Sequence, residues 1–334
     1  MKNLISGLMA GAIALSIFVG CGNTETTNKN ETEAGSNEKT VSVVTTIFPE
    51  YDWVKEIVGD DSNVEVTLLL DNGVDLHSYQ PTADDIMKIS TCDVFVYVGG
   101  ESDEWVEDAL GEATNKNMQV INLLDVLGEN VKEEEIVEGM EAEEEEENHE
   151  EEDEEVELDE HVWLSLKNSQ ILVSNIAQVL SEVDSANKDR YKKNADSYNS
   201  KLAELDNEYK EVINAATNKN VLFGDRFPFR YLVDDYNLNY YAAFVGCSAE
   251  TEASFETIKF LSDKVDELGL SAVMVIENSD KKIAQTIIEN TNSKNAKILT
   301  MDSMQSTTYQ DVEDGASYLT IMEQNLKVLE EGLK

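Results

Sequence analysis

Histidine is nearly absent from this chain, with three residues among 334. Basic residues are also scarce: 25 stand against 69 acidic ones, a formal net charge of −44. That balance rules out nucleic acid as a partner, because binding a phosphate backbone requires a surplus of cations. It also removes loose attraction to anionic lipid headgroups. Cations, by contrast, are drawn in. Cysteine is limited to Cys21, Cys92 and Cys247. The last two could form at most one disulfide in an exported protein. Because Cys92 opens an apolar strand and Cys247 follows another, both are instead expected to be buried thiols. The apolar run Leu4–Val19 is too short to span a bilayer comfortably.

That run reads as an export signal, with Lys2 as its basic start and Phe18-Val19-Gly20-Cys21 as its close. A cysteine directly after a small residue resembles a lipobox. Residues 1–20 are therefore expected to be a lipoprotein signal peptide, with Cys21 the lipidated residue. From Gly22 to Lys39 no apolar residue is larger than Ala34. Such a segment cannot bury enough surface to fold, so residues 21–40 form a flexible tether. The expected location is the extracytoplasmic face of the cell membrane, held by the lipid anchor.

Beyond the tether, β-rich apolar runs at Val41–Ile47, Val64–Leu70, Val94–Val98 and Gln119–Leu123 alternate with helical patterns at Tyr51–Val58, Thr82–Ser90 and Glu104–Ala113. Thr82 and Asp85 have capping-box spacing behind Pro81. Strands alternating with helices imply a doubly wound parallel sheet. Glu133–Glu157 then carries seventeen carboxylates and His149, which predicts a self-repelling disordered loop. A helix near Ser165–Val183 follows. The next, from about Ser185 to Ala215, places Tyr191, Ala195, Tyr198, Leu202, Leu205, Tyr209 and Val212 on one seam. A helix this long between two α/β patterns is a strut packed along both. Strands return at Val221–Phe223, Tyr240–Val245, Ala272–Ile276 and Lys297–Met301. Helices are expected at Phe229–Asp235, Phe255–Glu267, Lys281–Asn290 and Gly315–Glu331. The fold class is α/β: two four-stranded parallel-sheet lobes joined by a long rigid helix. The lobes fall at residues 41–166 and 218–334, with the linking helices at 167–217.

Two of the three histidines sit where a strand has ended or a helix begins: His77 in Asp-Leu-His-Ser-Tyr-Gln-Pro and His161 in Asp-Glu-His-Val-Trp-Leu. Imidazole is the commonest protein ligand for zinc and related ions. These motifs, with Thr45-Thr46-Ile47-Phe48-Pro49 and Leu299-Thr300-Met301-Asp302-Ser303, resemble the zinc/manganese family of solute-binding lipoproteins that serve ABC importers. The resemblance runs from Val41 to the C-terminus. It implies one metal ion in the cleft between lobes, held by His77, His161 and Asp302. It also implies delivery to an ABC permease with its ATPase, no enzymatic activity, and a monomer.

The family's third ligand lies in a His-x-x-Phe-x-Tyr-Phe pattern, where this chain has Arg226-Phe227-Pro228-Phe229-Arg230-Tyr231-Leu232. Arg226 thus falls on a ligand position, yet a guanidinium has no lone pair to give. At 4–5 Å it would repel a dication by several kcal/mol at a moderate dielectric. It must point away or pair with a carboxylate such as Asp225, Glu250 or Glu252. Water or a nearby donor then completes the site, with Glu250 and Glu252 the first candidates and Cys247 a weaker one.

Zinc is the favoured cargo, since two neutral imidazoles suit it. Manganese is the alternative if the set is richer in carboxylate. The acidic loop resembles, in position, the His-rich loop of zinc-specific members, and either steers cations or only solubilises. His149 is at most an auxiliary scavenger. Two other classes remain open. A zinc hydrolase would also use three ligands and an open position, but no His-Glu-x-x-His helix is present. A calcium-binding surface adhesin would act through the loop and dispense with both histidines.

Overall fold

The computed structural model describes residues 40–60, 63–141, 157–248 and 252–334. Cys21, His149 and Glu250 lie outside the described residues, as does most of the acidic loop. The first sheet holds β1 (Val41–Thr45), β2 (Val64–Leu68), β3 (Val94–Tyr97) and β4 (Gln119–Asn122) in the order β2-β1-β3-β4. The second holds β5 (Asn220–Phe227), β6 (Asn239–Val245), β7 (Ala272–Ile276) and β8 (Lys297–Met301) in the order β6-β5-β7-β8. All pairings are parallel. In each sheet the first strand is internal and the second lies at an edge. The order reverses there, and at such a reversal an α/β sheet opens a crevice beyond its carboxyl ends. Buried runs such as the Ala-Val-Met-Val-Ile of β7 are what a parallel sheet covered on both faces requires.

The covering helices are α1 (Phe48–Val58), α2 (Ala83–Thr91), α3 (Trp105–Gly111), α4 (Leu123–Leu127), α5 (Leu166–Val183), α6 (Lys188–Ala215), α7 (Arg230–Tyr236), α8 (Phe255–Leu268), α9 (Lys282–Asn290), α10 (Tyr309–Glu313) and α11 (Tyr318–Gly332). The capping box at α2 forms: Thr82 Oγ1 accepts from the Asp85 N–H at 3.2 Å, and Asp85 Oδ2 accepts from the Thr82 N–H at 3.0 Å. The C-terminal helix differs from expectation. Gly315 takes φ +102° and breaks the run, and Ser317 caps a new start at Tyr318.

Helix α6 is the strut. Its 28 residues span about 42 Å at 1.5 Å per residue, packing beside α5 and against α1, α7 and α11. The buried seam ends on Ile213, with Val212 only partly buried. Burying each large apolar side chain of the seam, Leu202 for example, is worth roughly 1.5–3 kcal/mol. Its tyrosines also find partners: Tyr198 donates to Asp52 Oδ2 at 3.3 Å and Tyr209 to the Met322 carbonyl at 2.6 Å. One hydrophobic cluster runs from Val41 through this seam to Leu333, and a second lies between α8, α9 and the second sheet. Residues 39–334 form one unit.

The expectation of a disordered loop over 133–157 is corrected at its ends. Glu133 bridges Leu158, the Glu134 N–H donates to the Glu157 carbonyl at 2.9 Å, and the Glu141 N–H donates to the Ala243 carbonyl at 2.9 Å. These carboxylates escape mutual repulsion because they meet donors from the second sheet, such as the Tyr240 hydroxyl on Glu135 at 3.0 Å. No helix of the described residues is long and apolar enough to cross a membrane.

Candidate metal centre

His77 sits on a short turn, Leu76–Ser78, in the connection after the edge strand β2. Asp75 caps that turn, its Oδ1 accepting the His77 N–H at 3.1 Å. The His77 Nδ1 lies 2.7 Å from Ser102 Oγ. Glu160 stands behind, its Oε2 3.7 Å from the same nitrogen and its Oε1 accepting the Ser102 N–H at 2.9 Å. His161 is fully buried ahead of the turn Val162–Leu164. Asp159 Oδ1 accepts from its backbone N–H at 2.9 Å and lies 3.0 Å from its Nδ1. Gly246 makes room for this ring, since a Cβ there would come within 2.9 Å of His161 Cε1.

The two imidazoles, 84 residues apart in sequence, meet with Nε2 to Nε2 at 3.2 Å. Two nitrogens on one tetrahedral ion, each about 2.0–2.1 Å from it, stand about 3.3 Å apart. Partners at Nδ1 leave Nε2 as the ligating atom on both rings, the usual arrangement behind a metal-bound histidine. Burial and the neighbouring His161 hold His77 down to about 3. Burial opposes charge on His161 too, but the charge and hydrogen bond of Asp159 lift it above the ordinary imidazole value.

A third donor joins them. The ligating atoms of His77, His161 and Cys247 lie within 4.8 Å of one another, and among the described residues this is the one such group of three or more. Both Cys92 and Cys247 are free. Cys92 is buried as expected, whereas Cys247 is only half-buried. Cys247 follows the edge strand β6, as His77 follows the edge strand β2, so matching connections of the two sheets supply facing donors. The repeated strand order is the signal that sequence reasoning missed when it ranked Cys247 last. Glu134 Oε1 accepts the Cys247 N–H at 3.2 Å, which ties the ordered end of the acidic segment to this residue.

The other expected residues stand elsewhere. Asp302, at the end of β8, is outside the group, and its Oδ1 accepts the Met304 N–H at 2.8 Å. Beside it Glu277 receives Ser303 Oγ at 2.6 Å and the Ser303 N–H at 2.7 Å. Burial, then the Asp302 charge, pushes Glu277 up to about 7. Glu252 is exposed before α8. Arg226 does pair with a carboxylate, but it is Asp75 that accepts from its Nη2, across the sheets. A cavity of about 470 Å³ opens beside the turn that carries His77, lined by Asp75, Ser78, Arg226, Ser248, Glu277 and Ser306 among others but by neither histidine.

Residues 43–332 match the family model described as zinc-uptake complex component A, periplasmic. The chain belongs to this family. Within the zinc-uptake family, the high-affinity zinc uptake system protein ZnuA of Bacillus subtilis strain 168 is 31% identical over 328 residues, 98% of this chain and 97% of that protein. The zinc-binding lipoprotein AdcA of Streptococcus pneumoniae R6 is 32% identical over 305 residues, 89% of this chain. This chain spans only 58% of that relative's length. The Zn(II)-bound ZnuA-like domain of Streptococcus pneumoniae AdcA superposes with a TM-score of 0.67 at 27% identity, covering 88% of this chain and 99% of that domain.

Proposed function

We propose that this protein is the extracytoplasmic substrate-binding component of an ABC importer, capturing zinc at His77 and His161 and passing it to a permease driven by an ATPase. The observation that carries the reading is the 3.2 Å approach of two Nε2 atoms from distant stretches of chain. Membership of the zinc-uptake family supports it, as do relatives that bear zinc in their names. Asp302 is the oxygen donor proposed to join from the end of β8, and Cys21 the residue proposed to carry the lipid. In this reading the protein is a monomer with no catalytic role. Its side chains present lone pairs and reverse the binding without changing the ion.

The experiment is the metal content of the full chain from defined medium, together with zinc titration, for wild type, His77→Ala and His161→Ala. One zinc per chain, lost in both variants, is the expected outcome. Undiminished zinc in both variants would end the proposal, and manganese in its place would change the cargo.

A further inference from the structure

We infer that Cys247 is the third metal ligand and the residue that selects zinc over manganese. The inference rests on the reading of His77 and His161 as ligands. Its first support is geometry: Sγ lies within 4.8 Å of a ring nitrogen of each histidine, whereas Asp302 and Glu252 fall outside the group. A tetrahedral ion with Zn–S about 2.3 Å and Zn–N about 2.05 Å needs S and N about 3.6 Å apart, so at most about 1.2 Å remains to be closed. That is a side-chain adjustment, with no refolding.

The second support is what surrounds the thiol. The expected third position is filled by Arg226, which Asp75 engages. The Cys247 backbone is held by Glu134, so the cysteine is presented from a fixed point. Gly246 lets the chain pass close to His161 without displacing its ring. Cys92, the other free thiol, is buried against the Ile89 carbonyl and the Met118 sulfur and is unavailable to the site.

The chemistry gives this ligand its consequence. As the metal–sulfur bond forms, the thiol proton leaves to solvent and the thiolate supplies the electron pair. Thiolate is a soft donor that favours zinc, whereas manganese prefers carboxylate and water. Two imidazoles and a thiolate leave one position open for Asp302 or water, which suits an ion that must be released.

The test loads the full chain with cobalt(II) as a spectroscopic probe. Wild type is expected to show a near-ultraviolet thiolate-to-cobalt charge-transfer band that Cys92→Ser retains and Cys247→Ser loses. Cys247→Ser is also expected to weaken zinc roughly 10- to 100-fold while leaving manganese within about threefold, narrowing selectivity. Absence of the band in wild type, or unchanged zinc affinity in Cys247→Ser, overturns the inference. If that happens while His77→Ala and His161→Ala still abolish binding, the thiol assignment fails alone. If those variants are also silent, the whole metal reading fails with it.

Discussion

Arg226 donates from Nη2 to Asp75 Oδ2, joining residues 151 positions apart across the two sheets. The same Asp75 holds the His77 backbone through its other oxygen. The guanidinium is therefore neutralised by the group that fixes a proposed ligand. An arginine at a position where the sequence resemblance implies a ligand is tolerated because its charge is directed at a carboxylate. The two halves of the pair act oppositely: Asp75 favours protonation of His77, while the Arg226 charge opposes protonation of both imidazoles.

Arg226→Gln should bind zinc more tightly than wild type. An unpaired unit charge about 8 Å from a dication at an effective dielectric near 20 opposes it by about 4 kcal/mol, and the Asp75 counter-charge cuts that to about 1–2 kcal/mol. Roughly tenfold tighter binding is expected, measured by competition with a chelator at fixed pH. Weaker binding would mean that the arginine serves mainly to hold Asp75, and through it His77.

Asp159→Asn addresses the opposite ring. Asp159 fixes His161 through backbone N–H and Nδ1. Outer partners of metal-bound histidines typically account for 10–100-fold in affinity. We expect a loss in that range with little change in thermal midpoint beyond a few degrees. A collapse of the fold in the metal-free variant would assign Asp159 a structural role instead.

The strands were legible because parallel strands covered on both faces are continuous apolar runs, and α6 because its tyrosines and leucines repeat at helical spacing. His77 and His161 were legible because histidine is so rare that two beside helix starts stand out. The pairing of Arg226 with Asp75 was not, since no local pattern encodes a contact over 151 positions. Cys247 was underrated for the same reason: it needs the matching order of two sheets, visible only once both are folded. The ordered stretch at 133–141 was hidden by composition, because charge density predicts repulsion and says nothing of donors waiting on the neighbouring sheet.

That ordered stretch also sets where the acidic loop can be cut. Residues 133–141 anchor Cys247 and the second sheet, so an excision meant to test cation steering should remove 142–156 alone. If the loop steers cations, its carboxylates should raise the local concentration of a dication at low ionic strength, an effect screened beyond about 10 Å in 0.1 M salt. Stopped-flow capture of zinc should slow several-fold at 10 mM salt and match wild type at 0.5 M. Equal rates at both concentrations would leave the segment only a solubilising part.

Glu50 is a buried carboxyl expected to contribute to the pH dependence of the metal-free protein. Its Oε2 accepts from the Thr46 N–H at 2.8 Å, Thr46 Oγ1 at 3.1 Å and the Ile47 N–H at 3.3 Å, while Oε1 is buried with no partner. Burial, and then the charge of Asp103, pushes Glu50 up to about 8. Asp103 itself rises to about 7, chiefly through burial. A carboxyl whose folded pKa lies above its unfolded one stabilises fully below the unfolded value near 4.5, and that contribution is lost as pH climbs toward 8. The thermal midpoint should therefore fall between pH 5 and pH 8. Glu50→Gln keeps an acceptor for the three donors and turns an amide toward the unpartnered side, with no charge to bury. It should be more stable than wild type at pH 8 by roughly 4 kcal/mol and nearly equal to it at pH 4.5. Parallel melting curves across that range, in the presence of chelator, make the comparison; an undiminished slope in Glu50→Gln would move the titration to Asp103 or Asp52.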